Sequence, residues 1–179
     1  MFTSGTLAPA GEYDADLNNV LNTLTYQKRS LPSYTAFQNN FPKLYWPEYP
    51  YYYQTMPANS VYALVGGNLQ SLYNNDPKTY RNACAVRISL AMNKLGILIP
   101  DNAITRQGAN IGGVPQYYFL QALGINDFMI KTFGDTTVKL EGADANDKKK
   151  IAALLEGKNG IYVIVNNDGT LLDIPDMLI

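Results

Sequence analysis

The stretch that most constrains the fold is residues 80–96, YRNACAVRISLAMNKLG. Cys84, Ile88, Ala91 or Met92, and Leu95 recur at three- and four-residue spacings, which puts them on one face of an α-helix. Asn82 is placed to cap the helix start. Gly96 follows the last turn as a residue free to take positive φ, and Pro100 lies just beyond. An apolar stripe of this length has to be covered, so the spacing predicts a central helix with Cys84 where its first turn meets the core. The start of a helix is also where the dipole and free N–H groups favour a thiolate. The same N–H groups can receive a developing oxyanion. Cys84 is the only cysteine, and the chain contains no histidine. A nucleophilic thiol needs a base, nearly always His, and a third group that orients it. A lone Cys on an apolar helix face is most often a small core residue. From these residues alone, nucleophile and core residue both remain open.

A length of 179 residues fits one domain with a sizeable core. A net charge of −1 and the absence of a long basic stretch argue against nucleic acid as a partner. Lys148, Lys149 and Lys150 read as a solvated helix face. One cysteine excludes an internal disulfide and a cysteine metal cage, so no metal and no cofactor is expected. No run approaches the roughly 20 apolar residues of a membrane span. The first residues, MFTSGTLAPAGEYDADLNN, lack a basic region followed by an apolar run, so no Sec signal peptide is expected. Residues 1–30 read as a polar leader in which Leu17, Val20, Leu21 and Leu24 form one narrow helical stripe that packs on the body or on a partner. Residues 31–179 read as a single domain.

Within that domain, residues 31–57 hold five prolines and nine aromatic residues. Proline at this density forbids a long regular element, and the segment reads as an extended arm whose aromatics cover the core. An adhesive arm for a partner or a glycan is the sharper alternative. Gly66-Gly67 permits positive φ or a close backbone approach, and it is no phosphate loop because no Gly-Lys-Ser/Thr follows. Residues 101–116 read as loop. YYFLQALGI reads as a short helix stopped at Gly124, and DFMIKTFG as a strand. A helix follows, with Asp147 near its start, Ile151, Leu154 and Leu155 on its apolar side, and Gly157 as its stop. GIYVIV reads as a buried strand, residues 166–169 (NNDG) as a hairpin turn, and TLLDI as a second strand. Helices first and an antiparallel sheet last make an α+β domain.

A Cys-bearing central helix followed by an antiparallel sheet is the layout of papain-like and NlpC/P60-like peptidases. The residues carry the resemblance further. VYALVGG, then NACAVRISLAMNKLGILIP, then GKNGIYVIV resemble the type VI secretion amidase effectors of the fourth family, from about residue 31 to about residue 165. The pattern Asn-x-Cys-Ala-x-Arg-x-Ser-x-x-x-Asn-x-x-Gly is matched at Asn82, Cys84, Arg87, Ser89, Asn93 and Gly96. The resemblance implies a papain-like or NlpC/P60-like fold in which the Cys helix packs on a C-terminal antiparallel sheet. It implies Cys84 as nucleophile, with Asn82, Arg87, Ser89 and Asn93 as motif residues that could serve binding. Arg87 could instead pair with a carboxylate, and Ser89 and Asn93 could bond backbone groups around the helix. It further implies a peptidoglycan stem peptide as substrate, an immunity protein as partner, and export by a contractile secretion machine to the periplasm of a competing cell.

One departure bears on activity. Family members follow the Gly-Ile strand with Gly-His-x-Asp-Leu-Trp, which supplies the base. Here the corresponding place reads NNDGTLLDIPDMLI; with Gly169 aligned, Thr170 takes the histidine position and Asp173 is the nearby acid. A carboxylate with an ordinary pKa near 4 is a poor base for a thiol near 8.5. The expectation is therefore an amidase-like domain that is impaired, or a chain whose missing C-terminus held the base. The alternative is a non-catalytic structural or adaptor protein of a phage particle or secretion apparatus that contacts a partner through residues 1–57. Sugar binding through the aromatics is a third reading, with only composition behind it.

Overall fold

A computed structural model describes residues 14–46, 49–134, 140, 144, 147–158 and 161. Its pivot is the helix over Cys84–Lys94, here α5 by chain order, of whose eleven residues eight are buried. Two apolar clusters enclose it. One contains Ala85, Ile88, Ala91 and Met92 of α5 with Phe37, Phe41, Phe119 and Phe128. The other contains Val86 and Leu90 of α5 with Val61, Tyr62, Leu69 and Tyr118. Adjacent residues Tyr118 and Phe119 enter different clusters because successive side chains of a strand point to opposite faces. Burial on two sides changes the expectation from a single stripe. Cys84 falls outside both clusters and is exposed, rather than sitting where the helix start meets the core.

The helix ends as its sequence requires. Gly96 has φ 74°; its N–H donates to Asn93 O (3.0 Å), and the Ile97 N–H reaches back to Met92 O (3.0 Å). That pair of bonds is the Schellman arrangement, which satisfies carbonyls left open at the last turn.

Residues 101–116 are not all loop. β3 (Thr105–Ile111) and β4 (Val114–Phe119) form an antiparallel hairpin joined at Gly112-Gly113. Both glycines have positive φ (58° and 80°), which a two-residue turn matching the strand twist requires. The glycines that resembled loop composition are the turn itself. The expected short helix stopped at Gly124 and the expected strand over 127–134 are likewise corrected. Residues 117–119 end β4, and α6 (Ala122–Phe133) runs through Gly124 to Gly134, φ 99°. A short apolar run does not by itself distinguish strand from helix. Here Ile125, Phe128 and Thr132 are buried at helical spacing. Gly124 lies inside the helix because a Cβ there would stand 2.8 Å from the Phe119 ring.

The segment over 31–57 is also more regular than an extended arm. α2 (Tyr34–Asn40) starts at Ser33, whose hydroxyl accepts from the Ala36 N–H (3.2 Å). β1 (Lys43–Trp46) and β2 (Tyr49–Thr55) pair antiparallel. Pro32, Pro42 and Pro57 fall between elements, so each proline ends or begins a short piece. Phe37 and Phe41 are buried in the first cluster.

Gly66 (φ 60°) separates α3 (Ala58–Val65) from α4 (Gly67–Asn75). A Cβ on Gly67 would stand 2.4 Å from the Gly108 carbonyl carbon of β3. Positive φ and close approach, both foreseen for the glycine pair, occur together.

The leader stripe forms α1 (Asp14–Thr23), with Leu17 and Leu21 buried. The Lys131 ammonium of α6 donates to Leu21 O (2.6 Å) and Leu24 O (3.0 Å), a cation on the C-terminal carbonyls of α1. The following strap joins α6 through the Arg29 N–H to Thr132 O (2.9 Å). α7 (Lys148–Leu155) begins at Asp147, whose carboxylate accepts from the Lys149 and Lys150 N–H groups. Lys149 and Lys150 are exposed. Ile161 packs against the first cluster. The rest of the expected strand over 160–165, the turn at 166–169 and the second strand lie outside the described residues. Among the described residues the architecture is thus a mixture of helices and two small antiparallel sheets.

Candidate active site at the start of the cysteine helix

Cys84 is the first residue of α5. Asn82 is not the N-cap residue itself; Ala83 holds that place without a side-chain bond. Asn82 acts one position earlier, its Oδ1 accepting the Cys84 N–H at 3.2 Å. One free N–H of the first turn is thereby satisfied. Tyr80 and Ala83 on this approach are buried in the second cluster, so the entry to the helix is anchored on both sides of Asn82.

Arg87 lies one turn further along the same side. Its Nε and Nη2 both donate to the Met56 carbonyl oxygen (3.0 and 2.8 Å), while Nη1 stands 3.8 Å from the Cys84 sulfur. A guanidinium keeps its charge at every pH of interest and presents a rigid fork. Two teeth of that fork grip the main chain just before α3, and the third faces the thiol. Met56 has no signature in the sequence, because its contribution is a backbone carbonyl thirty-one positions from Arg87. Beneath this end of α5, burial pushes the Tyr62 hydroxyl up to about 12, with neighbouring Tyr80 adding to the rise. Tyr62 therefore remains protonated near neutrality and cannot act as a base there.

The other half of the motif turns inward. The Ser89 hydroxyl donates to Ala85 O (2.8 Å) and accepts from the Phe119 N–H (3.0 Å). Asn93 donates through Nδ2 to Tyr117 O (2.9 Å) and accepts at Oδ1 from the Ile99 N–H (2.8 Å). Both residues are buried. Their bonds lace α5 to the edge of β4 and to the chain after the helix. Asn82, Cys84 and Arg87 share the open end of α5, whereas Ser89 and Asn93 are spent on holding the helix in place. Thr170 and Asp173 lie outside the described residues. Among the described residues there is no group of three or more His, Cys, Asp or Glu side chains that could hold a metal, and no helix is long and apolar enough to cross a membrane.

The described residues thus place an exposed thiol at the first position of a buried helix, in a mixed helical and antiparallel domain. A family model described as type VI secretion system (T6SS), amidase effector protein 4, matches residues 80–171, just over half of the chain. The chain belongs to that family. Among solved structures, the type VI effector Tae4 from Enterobacter cloacae is similar at 22% identity and TM-score 0.45, over 63% of this chain and 62% of that one. The effector Tae4 from Salmonella typhimurium, solved in complex with the immunity protein Tai4 from Enterobacter cloacae, is similar at 18% identity and TM-score 0.41, over 63% and 60%. This chain thus spans less than two thirds of either solved chain. No curated protein matches it.

Proposed function

We propose that this chain is an antibacterial amidase effector domain directed at the peptide stems of peptidoglycan, with Cys84 as its nucleophile and with amide cleavage impaired by the lack of histidine. The observation that carries the reading is the exposed Cys84 at the first position of α5, beside the anchored Arg87, within the region that the family model matches. The proposal includes a papain-like or NlpC/P60-like arrangement, export to a competitor's periplasm, and an immunity protein as partner. Family membership favours this reading over a phage or secretion adaptor.

In the reaction, the Cys84 thiolate adds to the amide carbonyl carbon. The C–N bond then breaks and the nitrogen leaves as an amine, taking one proton. Water hydrolyses the thioester, giving the carboxylate and restoring the thiol. Asn82 and the anchored helix start fix the sulfur, and Arg87 supplies a fixed positive charge beside it. The missing part is a group that accepts the thiol proton and returns it to the leaving nitrogen. In this proposal Thr170 occupies that place, and a hydroxyl does not exchange protons with a thiol at neutral pH. Asp173 remains as the companion acid. Removing a base from a nucleophile–base unit costs on the order of a thousandfold or more.

The test is release of new amines from purified sacculi. The expected result is a slow, Cys84-dependent release that Thr170→His raises. Release that persists in Cys84→Ala overturns Cys84 as nucleophile. A wild-type rate that Thr170→His leaves unchanged overturns the assignment of Thr170.

A further inference from the structure

Asn82 bonds through one end of its amide. Its Oδ1 accepts the Cys84 N–H at 3.2 Å. The Cys84 N–H can only donate, so Oδ1 faces the main chain and Nδ2 turns away from it. Nδ2 makes no hydrogen bond to another described residue, and it is not sealed from solvent. The second asparagine of the motif behaves differently. Asn93 spends both ends, Nδ2 on Tyr117 O and Oδ1 on the Ile99 N–H. The Asn82 side chain is half-buried, and buried Tyr80 and Ala83 hold the chain on either side of it. A fixed amide with unspent N–H donors thus stands two residues before an exposed sulfur.

The neighbouring donors are committed elsewhere. A main-chain N–H beside the nucleophile is a usual receiver of developing negative charge, and here that of Cys84 is taken by Asn82 Oδ1. Arg87 gives Nε and Nη2 to Met56 O and turns Nη1 to the sulfur. Of the three outward motif side chains, Asn82 is the one with N–H bonds left for a substrate. The residue type fits this. Ser, Asp and Asn accept from an N–H at a helix start about equally well, and of the three only Asn adds two N–H donors to the acceptor.

We propose that Asn82 is a catalytic residue whose Nδ2 donates to the oxygen of the attacked carbonyl. The inference rests on Cys84 being the nucleophile, as in the proposed function. As the bond from Cys84 Sγ to the carbonyl carbon forms, the π pair moves onto oxygen, and the Nδ2–H bond strengthens to that oxyanion. The pair returns when the bond to the leaving group breaks, and Asn82 neither gains nor loses a proton. Its role therefore does not depend on a base and persists in a chain without histidine.

Two reactions of the full chain separate this role from that of holding the sulfur. p-Nitrophenyl acetate acylates a thiol through an oxyanion, and its phenolate leaves without a proton, so the missing base is not required. Iodoacetamide alkylates the same thiol by displacement at carbon, with no oxyanion. The ratio of the two rates at Cys84, followed by peptide mass mapping, cancels any change in the sulfur itself. Asn82→Ala and Asn82→Asp are each expected to lower that ratio about a hundredfold, the usual cost of one oxyanion donor. Lys149→Ala, with its exposed side chain, is expected to leave it unchanged. Asp keeps an acceptor for the Cys84 N–H, so a side chain that only caps the helix would hold the wild-type ratio in Asn82→Asp. That result overturns the proposal, as does an unchanged ratio in Asn82→Ala. If wild-type Cys84 takes iodoacetamide but no acetyl group, the nucleophile reading fails and the role of Asn82 falls with it. Acetylation of Cys84 at an unchanged ratio in the Asn82 variants overturns the role of Asn82 alone.

Discussion

The two ends of α5 carry halves of one sequence motif and use them differently. At the first turn, Asn82, Cys84 and Arg87 present an exposed sulfur between a capped N–H and a guanidinium gripped by Met56 O. From the middle onward, the buried Ser89 and Asn93 fasten the helix to β4 and to the chain beyond it, and Gly96 closes its last turn. A reactive group gains accuracy from support that is itself immobile. The inward half of the motif is that support. Spacing on a helix does not reveal which residues belong to which half, because Ser89 and Arg87 are equally polar on paper.

Substitutions across the two halves should separate them, and the largest effect belongs inward. Asn93→Leu removes both bonds to Tyr117 O and the Ile99 N–H, leaving two largely buried backbone groups unpaired, so a loss of about 3–4 kcal/mol is expected in urea unfolding. If Asn93→Leu unfolds no more easily than a Cys84 variant, the division of the motif fails. Gly67→Ala tests the packing behind the same hairpin. A Cβ at φ 58° against Gly108 should cost about 2–3 kcal/mol, read as a lower thermal midpoint. Ser89→Ala deletes one partner of the Phe119 N–H and should cost about 1–2 kcal/mol.

A smaller effect concerns pH. Tyr26 has its pKa raised from 10.0 to about 12 in the folded chain. The folded state therefore holds this proton where the unfolded state releases it. The contribution is complete below pH 10.0 and is lost as pH rises toward about 12. Tyr26→Phe should make the fall in stability between about pH 9 and about pH 11 less steep than in the wild type, measured by urea unfolding at both values. An equal slope in both proteins would remove Tyr26 from the account. The smallest effect on stability belongs to the outward half. Cys84→Ala should stay within about 0.5 kcal/mol of wild type, while labelling by iodoacetamide disappears.

Much of the helical frame was legible in the sequence. The three- and four-residue spacing over residues 84–95, the Gly96 stop and the Asp147 start each depend on local chemistry, and each reappears in the structure. Where a residue's role depends on a distant surface, sequence reasoning went astray. Gly124 resembles a helix stop until Phe119 is seen against it, and Gly112-Gly113 resembles loop composition until strands flank it. The segment over 127–134 is apolar enough for a strand and becomes helical because its buried residues face the Phe37–Phe119 cluster at a helical period.

The sequence by itself determined the cysteine helix, the family motif upon it and the lack of any histidine, since each depends only on the identity and spacing of nearby residues. Tertiary structure alone decided that Cys84 is exposed, that Arg87 is anchored by a backbone carbonyl thirty-one residues away, and that Ser89 and Asn93 face β4. The physical reason is that exposure and hydrogen-bond partnership are properties of two surfaces meeting. A helix written out alone records only one of them.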